Sequence, residues 1–507
     1  MTWEEDLEGA LTRFRDLGRE FHFAPKADDI GHVLRVGDGV AFVDGLAGVE
    51  LDELLIFGNG IEGQVLDVGR TEIGCILFGP EEGVMAGSTV FRTRTTPSIP
   101  AGDRVLGRVI DAVGNPRDGL GPLESSRLRP LDSSSPGPLD REPVREPLLT
   151  GIKVIDAAVP VGLGQRELIL GDRGTGKSSI AIDTIINQRD SGVVCIYVSI
   201  GSRRAAVKEV VDELTTSGAL ANTVVVVADA AEPAPLRYLA AYAGCAIAES
   251  FAYEGRHALV VYDDLTRHAE AYRDLSLLLR RPPSREAYPR DIFYVQARLM
   301  ERAFKLRREL GGGSITALPI RETQQGNISG FIPTNVISMT DGQIYLDATL
   351  FAEGQLPAID IGRSVSRVGG GAQYHSLREA ASNLRIELSQ YAEVRGFTRF
   401  GAILDESTKQ QLRRGDVLTQ LLLQPERQPV PLALQVAIFW ALKRDLIADL
   451  PPELVGAFES QLLALQGKFP GLDAALETAD AMADSTRADL ESWIAAATQQ
   501  ARTVAPP

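Results

Sequence analysis

The chain has 507 residues, 44% of them hydrophobic and 24% charged, with a net charge of −16. That is length enough for about two to four domains and a sizeable core. The negative balance argues against general affinity for nucleic acid or anionic lipid, and no stretch approaches the roughly eighteen apolar residues of a membrane span.

Residues 1–27 read as a polar helical segment, with Leu7, Leu11 and Phe14 at helical spacing. The segment opens on the acidic Met1-Thr2-Trp3-Glu4-Glu5-Asp6, which is neither a secretory signal nor a transit peptide. Residues 28–95 switch to short β runs, His32–Val36, Val40–Val43 and Cys75–Phe78, separated by turn signals such as Gly37-Asp38-Gly39 and Asn59-Gly60. Many short strands in succession suggest a small closed barrel. An oligonucleotide-binding barrel would need exposed aromatic and basic residues, and the run shows no such pattern. Cys75, Cys195 and Cys245 are isolated and odd in number; they read as small core residues, not as disulfides or zinc ligands.

A Pro/Ser-rich connector runs from Arg129-Pro130 to Glu146-Pro147. It falls within a central α/β domain, residues 96–372, where apolar strands alternate with helices. Val193–Val198 and Val224–Val227 are β-branched runs of the kind found in parallel strands buried on both faces.

Within this domain, Gly171-Asp172-Arg173-Gly174-Thr175-Gly176-Lys177-Ser178 fits the phosphate-cradling pattern G-x-x-x-x-G-K-[ST]. A short apolar strand precedes it and an amphipathic helical run follows. The glycines let backbone N–H groups approach phosphates at a helix N-terminus. Lys177 would neutralise the outer phosphates and Ser178 would ligate Mg2+. The plainer alternative is a glycine-rich turn with a surface lysine. Ala258-Leu259-Val260-Val261-Tyr262-Asp263 sets a carboxylate at the end of a buried strand, where it can hold magnesium; alternatively the strand simply ends in a polar turn. Beyond residue 373, Leu384, Leu388 and Tyr391 lie at helical spacing, and leucine- and alanine-rich segments at Leu434–Leu446 and Pro452–Leu465 read as amphipathic helices of a bundle spanning 373–507.

Several long words of the sequence resemble the rotary ATPase alpha/beta family, and within it the alpha subunits of F-type ATP synthases. They include Leu106–Asn115, Gly164–Leu168, Tyr262–Leu265, Ser276–Pro283, Ile332–Ser338, Thr340–Ile344 and Ser364–Gly369. The resemblance covers nearly the whole sequence. It implies a multidomain fold: an N-terminal six-stranded-type β-barrel, a central P-loop (RecA-like) nucleotide-binding domain and a C-terminal α-helical bundle. It implies a non-catalytic, regulatory nucleotide-binding subunit that holds ATP or ADP with Mg2+. Three such subunits would alternate with three beta subunits around a gamma-type central stalk, with a peripheral stalk and a membrane ion-translocating sector, on the cytoplasmic face of a bacterial inner membrane. Arg367 matches an arginine finger offered to the neighbouring beta site, and Ser364 matches a position on which activity depends; both are expected catalytic positions. Without the resemblance, Arg367 would read as a structural ion pair. Gln424 matches one of two glutamines that line the adenine pocket. Arg280, Arg281 and Arg285 would shape a loop near the central stalk.

The departures from the family pattern cluster around the nucleotide. Beta subunits carry a water-orienting glutamate just after the strand that follows the P-loop helix; Ser202 stands at that position, and the next carboxylate, Glu209, is well down the sequence. Gly174, Leu356 and Glu426 replace a glutamine, an arginine and a glutamine common in alpha subunits, which puts adenine selectivity in question. Two other readings compete. An autonomous hexameric secretion or RNA-translocating ATPase would need a glutamate at Ser202. A scaffold with a vestigial P-loop is opposed by Lys177, Ser178 and Asp263 and favoured by Leu356 and Glu426.

Overall fold

The computed structural model describes residues 29–123, 127–398, 406–447, 449–478 and 480–503. The expected helical segment over residues 1–27 lies outside them. The protein divides between Thr95 and Thr96 into two compact units.

In the first unit, six strands close into a barrel: Ile30–Gly37, Val40–Asp44, Leu54–Phe57, Glu62–Val68, Ile73–Leu77 and Thr89–Arg92. Gly37 pairs with Val40 across Asp38 and Gly39, both at positive φ, the two-residue turn whose twist suits a hairpin. Pairing of Ile30 with Phe91 joins the first strand to the sixth and removes the open edges. Leu55, Phe57, Val65 and Leu77 fill the interior. Gly63 makes room for them: a Cβ there would lie 2.9 Å from the Phe57 ring and 2.6 Å from the Ile76 carbonyl oxygen. The closed barrel expected from the short, turn-separated strands is present.

The second unit is built on a nine-stranded sheet. From one edge its order is Val365–Ser366, Gly342–Leu346, Leu168–Asp172, Ser314–Thr323, His257–Asp263, Val194–Ser202, Thr223–Asp229 and Val109–Asp111, with Phe304–Lys305 paired alongside Ser314–Thr323. All pairings are parallel except those of Val365–Ser366 and Phe304–Lys305. A parallel sheet is covered on both faces. The helix Ala234–Ala252 is buried along almost its whole length, and its Gly244 brings backbone against Val198, where a Cβ would come within 2.2 Å of Cγ2. Cys75, Cys195 and Cys245 are all buried free thiols, the core role expected of them.

The Pro/Ser-rich connector is stapled down by a buried network. Leu128–Pro130 pairs with Ser98–Pro100. The Ser133 hydroxyl donates to Glu249 Oε2 at 2.6 Å, Arg302 Nε donates to Glu249 Oε1 at 2.7 Å, and Arg302 Nη1 donates to the Leu131 carbonyl at 2.8 Å. Both charged side chains are 0% exposed. A charge taken that far from water persists only with its partner and its hydrogen bonds in place.

Beyond residue 373 the described residues are helical: His375–Ala380, Leu384–Thr398, Glu406–Leu422, Leu432–Lys443, Val455–Leu465, Leu472–Leu476 and Asp484–Thr503. Gly415 leaves space for the Tyr391 ring, whose hydroxyl donates to Asp416 at 2.7 Å. One expectation is corrected. The sequence pattern predicts an amphipathic helix over Leu434–Leu446, yet every residue from Leu432 to Leu442 is buried. That helix is the axis of the bundle, so neighbours cover all its faces and its sequence is apolar all round. Contacts that join the bundle to the sheet domain include Lys153 Nζ donating to Glu459 Oε1 at 2.6 Å and the buried bond from Gln435 Nε2 to Asp156 Oδ2 at 2.8 Å.

The Arg302–Glu249 pair gives a direct stability test. Arg302→Met should lower the unfolding free energy by about 3–5 kcal/mol, because it leaves the buried Glu249 carboxylate with only the more distant Arg129, 3.6 Å away, and the Ser133 hydroxyl. The double variant Arg302→Met/Glu249→Met should recover most of that loss, read as the midpoint of urea unfolding.

Candidate functional site

Because the central strands run parallel, their carboxyl ends lie along one rim of the sheet. Gly171 stands beside Glu322 and Leu346, and Ser199 beside Asp263. Such a rim is where open α/β sheets take ligands. Leu168–Asp172 passes at Gly171 into the loop and then into the helix Lys177–Asn187. Gly174 and Gly176 have φ of 78° and 93°, backbone that a side chain would strain. Nothing lies within 4 Å of where a Cβ at Gly174 would stand.

Internal bonds hold the loop. The Asp172 carbonyl accepts Thr175 Oγ1 at 2.8 Å and Lys177 Nζ at 2.6 Å. The Asp172 carboxylate accepts Thr323 Oγ1 at 2.6 Å and the Gly326 N–H at 3.0 Å. Arg173 is exposed at the tip. The helix has no side-chain cap at Gly176, so its first-turn N–H groups face the loop ready for an anion. Lys177 is buried, and among the described residues its three donors make one hydrogen bond. Burial lowers its pKa, while Glu322, Asp264, Asp263 and Asp172 pull the other way.

Ser178 Oγ donates to Asp263 Oδ2 at 2.8 Å, and the Tyr197 hydroxyl donates to the same oxygen. Burial raises the Asp263 pKa against those bonds. Asp264 caps the next helix by accepting the Arg267 N–H at 3.0 Å; burial and the adjacent Asp263 push its pKa up to about 6. The rim therefore carries more carboxylates than cations. A bare phosphate would be repelled, whereas a phosphate carrying a divalent cation would not. No cluster of three or more His, Cys, Asp or Glu side chains able to hold a metal occurs among the described residues, so Ser178 and Asp263 would share a magnesium ion with phosphate and water oxygens.

The wall beyond the loop encloses a cavity of about 30 Å³ between Leu356–Ala358 and Gln424–Glu426, with Phe351 at its side. That space takes a water molecule; a purine needs the part-exposed Leu356 and Phe351 to swing outward. Gln424 lines it, but its amide is committed: Nε2 donates to Gly151 O at 2.8 Å and Gln428 O at 2.9 Å, and Oε1 accepts the Lys153 N–H at 3.0 Å.

Ser202 ends the strand Val194–Ser202 beside a second cavity of about 180 Å³, lined also by Ser178, Asp263, Glu209 and Glu213. Sequence distance alone puts Glu209 out of reach; the helix Arg204–Thr216 folds back and returns it to the cavity wall. Glu213 pairs with Arg427 at 2.7 Å.

The two expected catalytic positions lie elsewhere. Val365–Ser366 pairs with Gly342 and Gln343, the opposite end of that strand from Leu346, the neighbour of Gly171. Arg367 is thus about 13 Å along the strands and about 10 Å across them from the loop of its own subunit. It is exposed, and its guanidinium makes one long bond, 3.4 Å to the Ile337 carbonyl. Among the described residues it has no carboxylate at ion-pair distance, against the structural-pair alternative. Ser364 is 0% exposed; its hydroxyl donates to Asp360 O at 2.6 Å and accepts the Tyr345 N–H at 2.9 Å. It positions the turn that leads to Arg367 and touches no reacting group of its own subunit.

Tyr197, Thr323, Gly326 and Asp264 join the site without having stood out in the sequence. The available signal was general: a polar residue at the carboxyl end of any buried parallel strand faces this rim, and Ser314–Thr323 ends in Glu322-Thr323.

Family models cover about four-fifths of the sequence. The beta-barrel domain of the ATP synthase alpha/beta family matches residues 27–94, and the nucleotide-binding domain of that family matches residues 151–366. The C-terminal domain model of the ATP synthase alpha/beta family matches residues 373–497. The protein is similar to proteins named ATP synthase subunit alpha from Staphylococcus aureus strains Newman and COL, 50% identical over 434 residues, 86% of this protein and 86% of each relative. The matched segments take in the barrel, the loop with its rim and the helical bundle, and on them the chain belongs to the ATP synthase alpha/beta family.

Proposed function

We propose that this protein is the nucleotide-binding, non-catalytic alpha subunit of an F-type ATP synthase, and that it completes the active site of a neighbouring beta subunit with Arg367. The relatives named ATP synthase subunit alpha support the subunit assignment. The division of labour rests on two observations of this protein: Ser202 at the position where a hydrolytic site needs a base, and Arg367 exposed, with no ion pair among the described residues, at the end of the sheet away from its own loop.

In this reading the loop residues Gly171–Gly176 present backbone N–H groups to the phosphates of ATP or ADP. Lys177 neutralises the outer phosphates, and Ser178 and Asp263 hold Mg2+. Magnesium held there by Ser178 and Asp263 would supply positive charge to offset that of the phosphates. Asp172, fixed by Thr323 and Gly326, sets the curvature of the loop. A serine hydroxyl at Ser202 is a weak base, and Glu213 is held by Arg427, so the subunit binds nucleotide without efficient turnover. Across the subunit boundary, Arg367 stabilises the charge that builds on the transferred phosphoryl group. Ser364 keeps Arg367 in place through the Asp360 and Tyr345 backbone. Three such subunits with three beta subunits, a gamma-type central stalk and a peripheral stalk would couple ATP synthesis or hydrolysis to proton or sodium movement through a membrane sector. The complex would sit on the cytoplasmic face of a bacterial inner membrane. No helix among the described residues is long and apolar enough to cross a membrane, consistent with attachment through other subunits.

Two substitutions separate the roles. Arg367→Ala should leave assembly with beta subunits intact and lower steady-state ATPase turnover of the complex by about 10³-fold or more; near-normal turnover would remove the finger role. Lys177→Ala should weaken Mg-nucleotide binding to the purified subunit by about ten- to hundredfold, the worth of a charged hydrogen bond, with a smaller effect on turnover of the complex. Unchanged affinity in an equilibrium titration would contradict the cradle.

A further inference from the structure

We propose that Glu167 positions Arg367 from inside the sheet edge, its buried carboxyl withholding the negative charge that would draw the guanidinium inward. The inference deepens the arginine-finger reading above and rests on it. Glu167 stands just before the strand Leu168–Asp172, fully buried, its N–H donating to the Ala317 carbonyl at 2.9 Å. Its carboxyl lies against Gly342, where a Cβ would come within 2.5 Å of Oε2 and 2.8 Å of Oε1. Gly342 pairs with Ser366, the residue before Arg367, and the Arg367 N–H donates to the Asp341 carbonyl at 2.8 Å. Gln165 ties the carboxyl to that strand: its Nε2 donates to Glu167 Oε2 at 2.7 Å and to Ser366 Oγ at 3.1 Å.

The surroundings of this carboxyl suit a neutral group. An ionised carboxylate taken out of water needs a cation or several donors, as Glu249 has in Arg302, Arg129 and the Ser133 hydroxyl. Glu167 has one side-chain donor, the neutral amide of Gln165, and among the described residues its Oε1 has no partner. Two charged groups act on it from the neighbouring strands. Asp341 opposes ionisation and Arg367 favours it, yet burial outweighs the arginine and pushes the Glu167 carboxyl well above the usual carboxylate range. Arg166, beside it in sequence, is held by Asp341 and Glu301.

An ionised Glu167 would set a fixed negative charge behind Arg367 in a medium of low dielectric. It would pull the guanidinium toward the sheet and cancel part of the positive charge that a neighbour's phosphoryl group needs. With the proton in place, Arg367 keeps its full charge and stays exposed, as it is here. Burial raises the carboxyl above its unfolded value, so the proton is held at low pH and lost as pH rises through the folded value. Turnover of the assembled complex should therefore lose activity on the alkaline side. Glu167→Gln keeps the shape and the acceptor for Gln165, and it cannot ionise.

The test is the pH profile of steady-state ATPase turnover by the assembled complex, carrying wild-type subunit, Glu167→Gln, Arg367→Ala or both substitutions together. At neutral pH the kcat of Glu167→Gln should equal that of wild type with KM unchanged. On the alkaline side the ratio of variant to wild-type kcat should rise by about tenfold. In the Arg367→Ala background the same ratio should stay flat, because Glu167 acts through the arginine. A Glu167→Gln kcat well below wild type at neutral pH would mean that the carboxylate works ionised, and would overturn the proposal. A ratio that stays flat with Arg367 present, or still rises without it, would overturn it too. In each case a crippled Arg367→Ala complex leaves the finger reading standing, whereas near-normal turnover of that complex overturns both. The thermal unfolding midpoint of Glu167→Gln at neutral pH should match wild type; a large loss would mean that the carboxyl is needed for folding in its ionised form, again against the proposal.

Discussion

The hydrogen bond from Ser178 to Asp263 joins two things the site needs at once. Ser178 stands in the first turn of the helix that follows the phosphate loop, and Asp263 ends a strand two places away in the sheet. They meet only because the strands run parallel and end together. A one-residue change in register would turn Asp263 to the other face. The rim thus gathers a lysine, a hydroxyl and several carboxylates around one loop, and that charge balance favours a phosphate only when a divalent cation comes with it.

In the proposed reading, the same sheet lets a single subunit hold a nucleotide and also serve its neighbour. Its rim carries the loop, while its edge, at the opposite end of the strands, carries Arg367. The antiparallel pairing of Val365–Ser366 with Gly342 and Gln343 keeps that arginine away from its own phosphates. The buried Ser364 secures the turn from beneath. A guanidinium left exposed without a carboxylate partner gains little for the stability of the isolated subunit; it gains when a phosphoryl group of a neighbour comes within reach.

Much of this was legible in the sequence because it is local. The glycine loop, the strand ending in Asp263 and the glycine-punctuated barrel strands each carry their signal within about ten residues. What escaped depends on contacts between distant segments. Glu209 looks remote until the helix Arg204–Thr216 returns it to the cavity. Gln424 matched a base-contacting position, yet its amide is committed to Gly151, Lys153 and Gln428. The Pro/Ser-rich connector looks loose because its anchor, the Arg302–Glu249 pair, lies more than a hundred residues away in sequence. The helix Leu432–Lys443 reads as having an exposed face because a leucine–alanine run does not reveal how many neighbours surround it.

In the proposed division of labour, this protein grips a nucleotide it does not cleave. Glu209 is the carboxylate best placed to break that claim, since it shares a cavity with Ser178 and Asp263. The direct measurement is single-turnover hydrolysis of stoichiometric Mg-ATP by the purified subunit without beta subunits. Here the bound nucleotide should remain ATP over many turnover times of the assembled complex. Conversion to ADP at a rate near that of the complex would contradict the account.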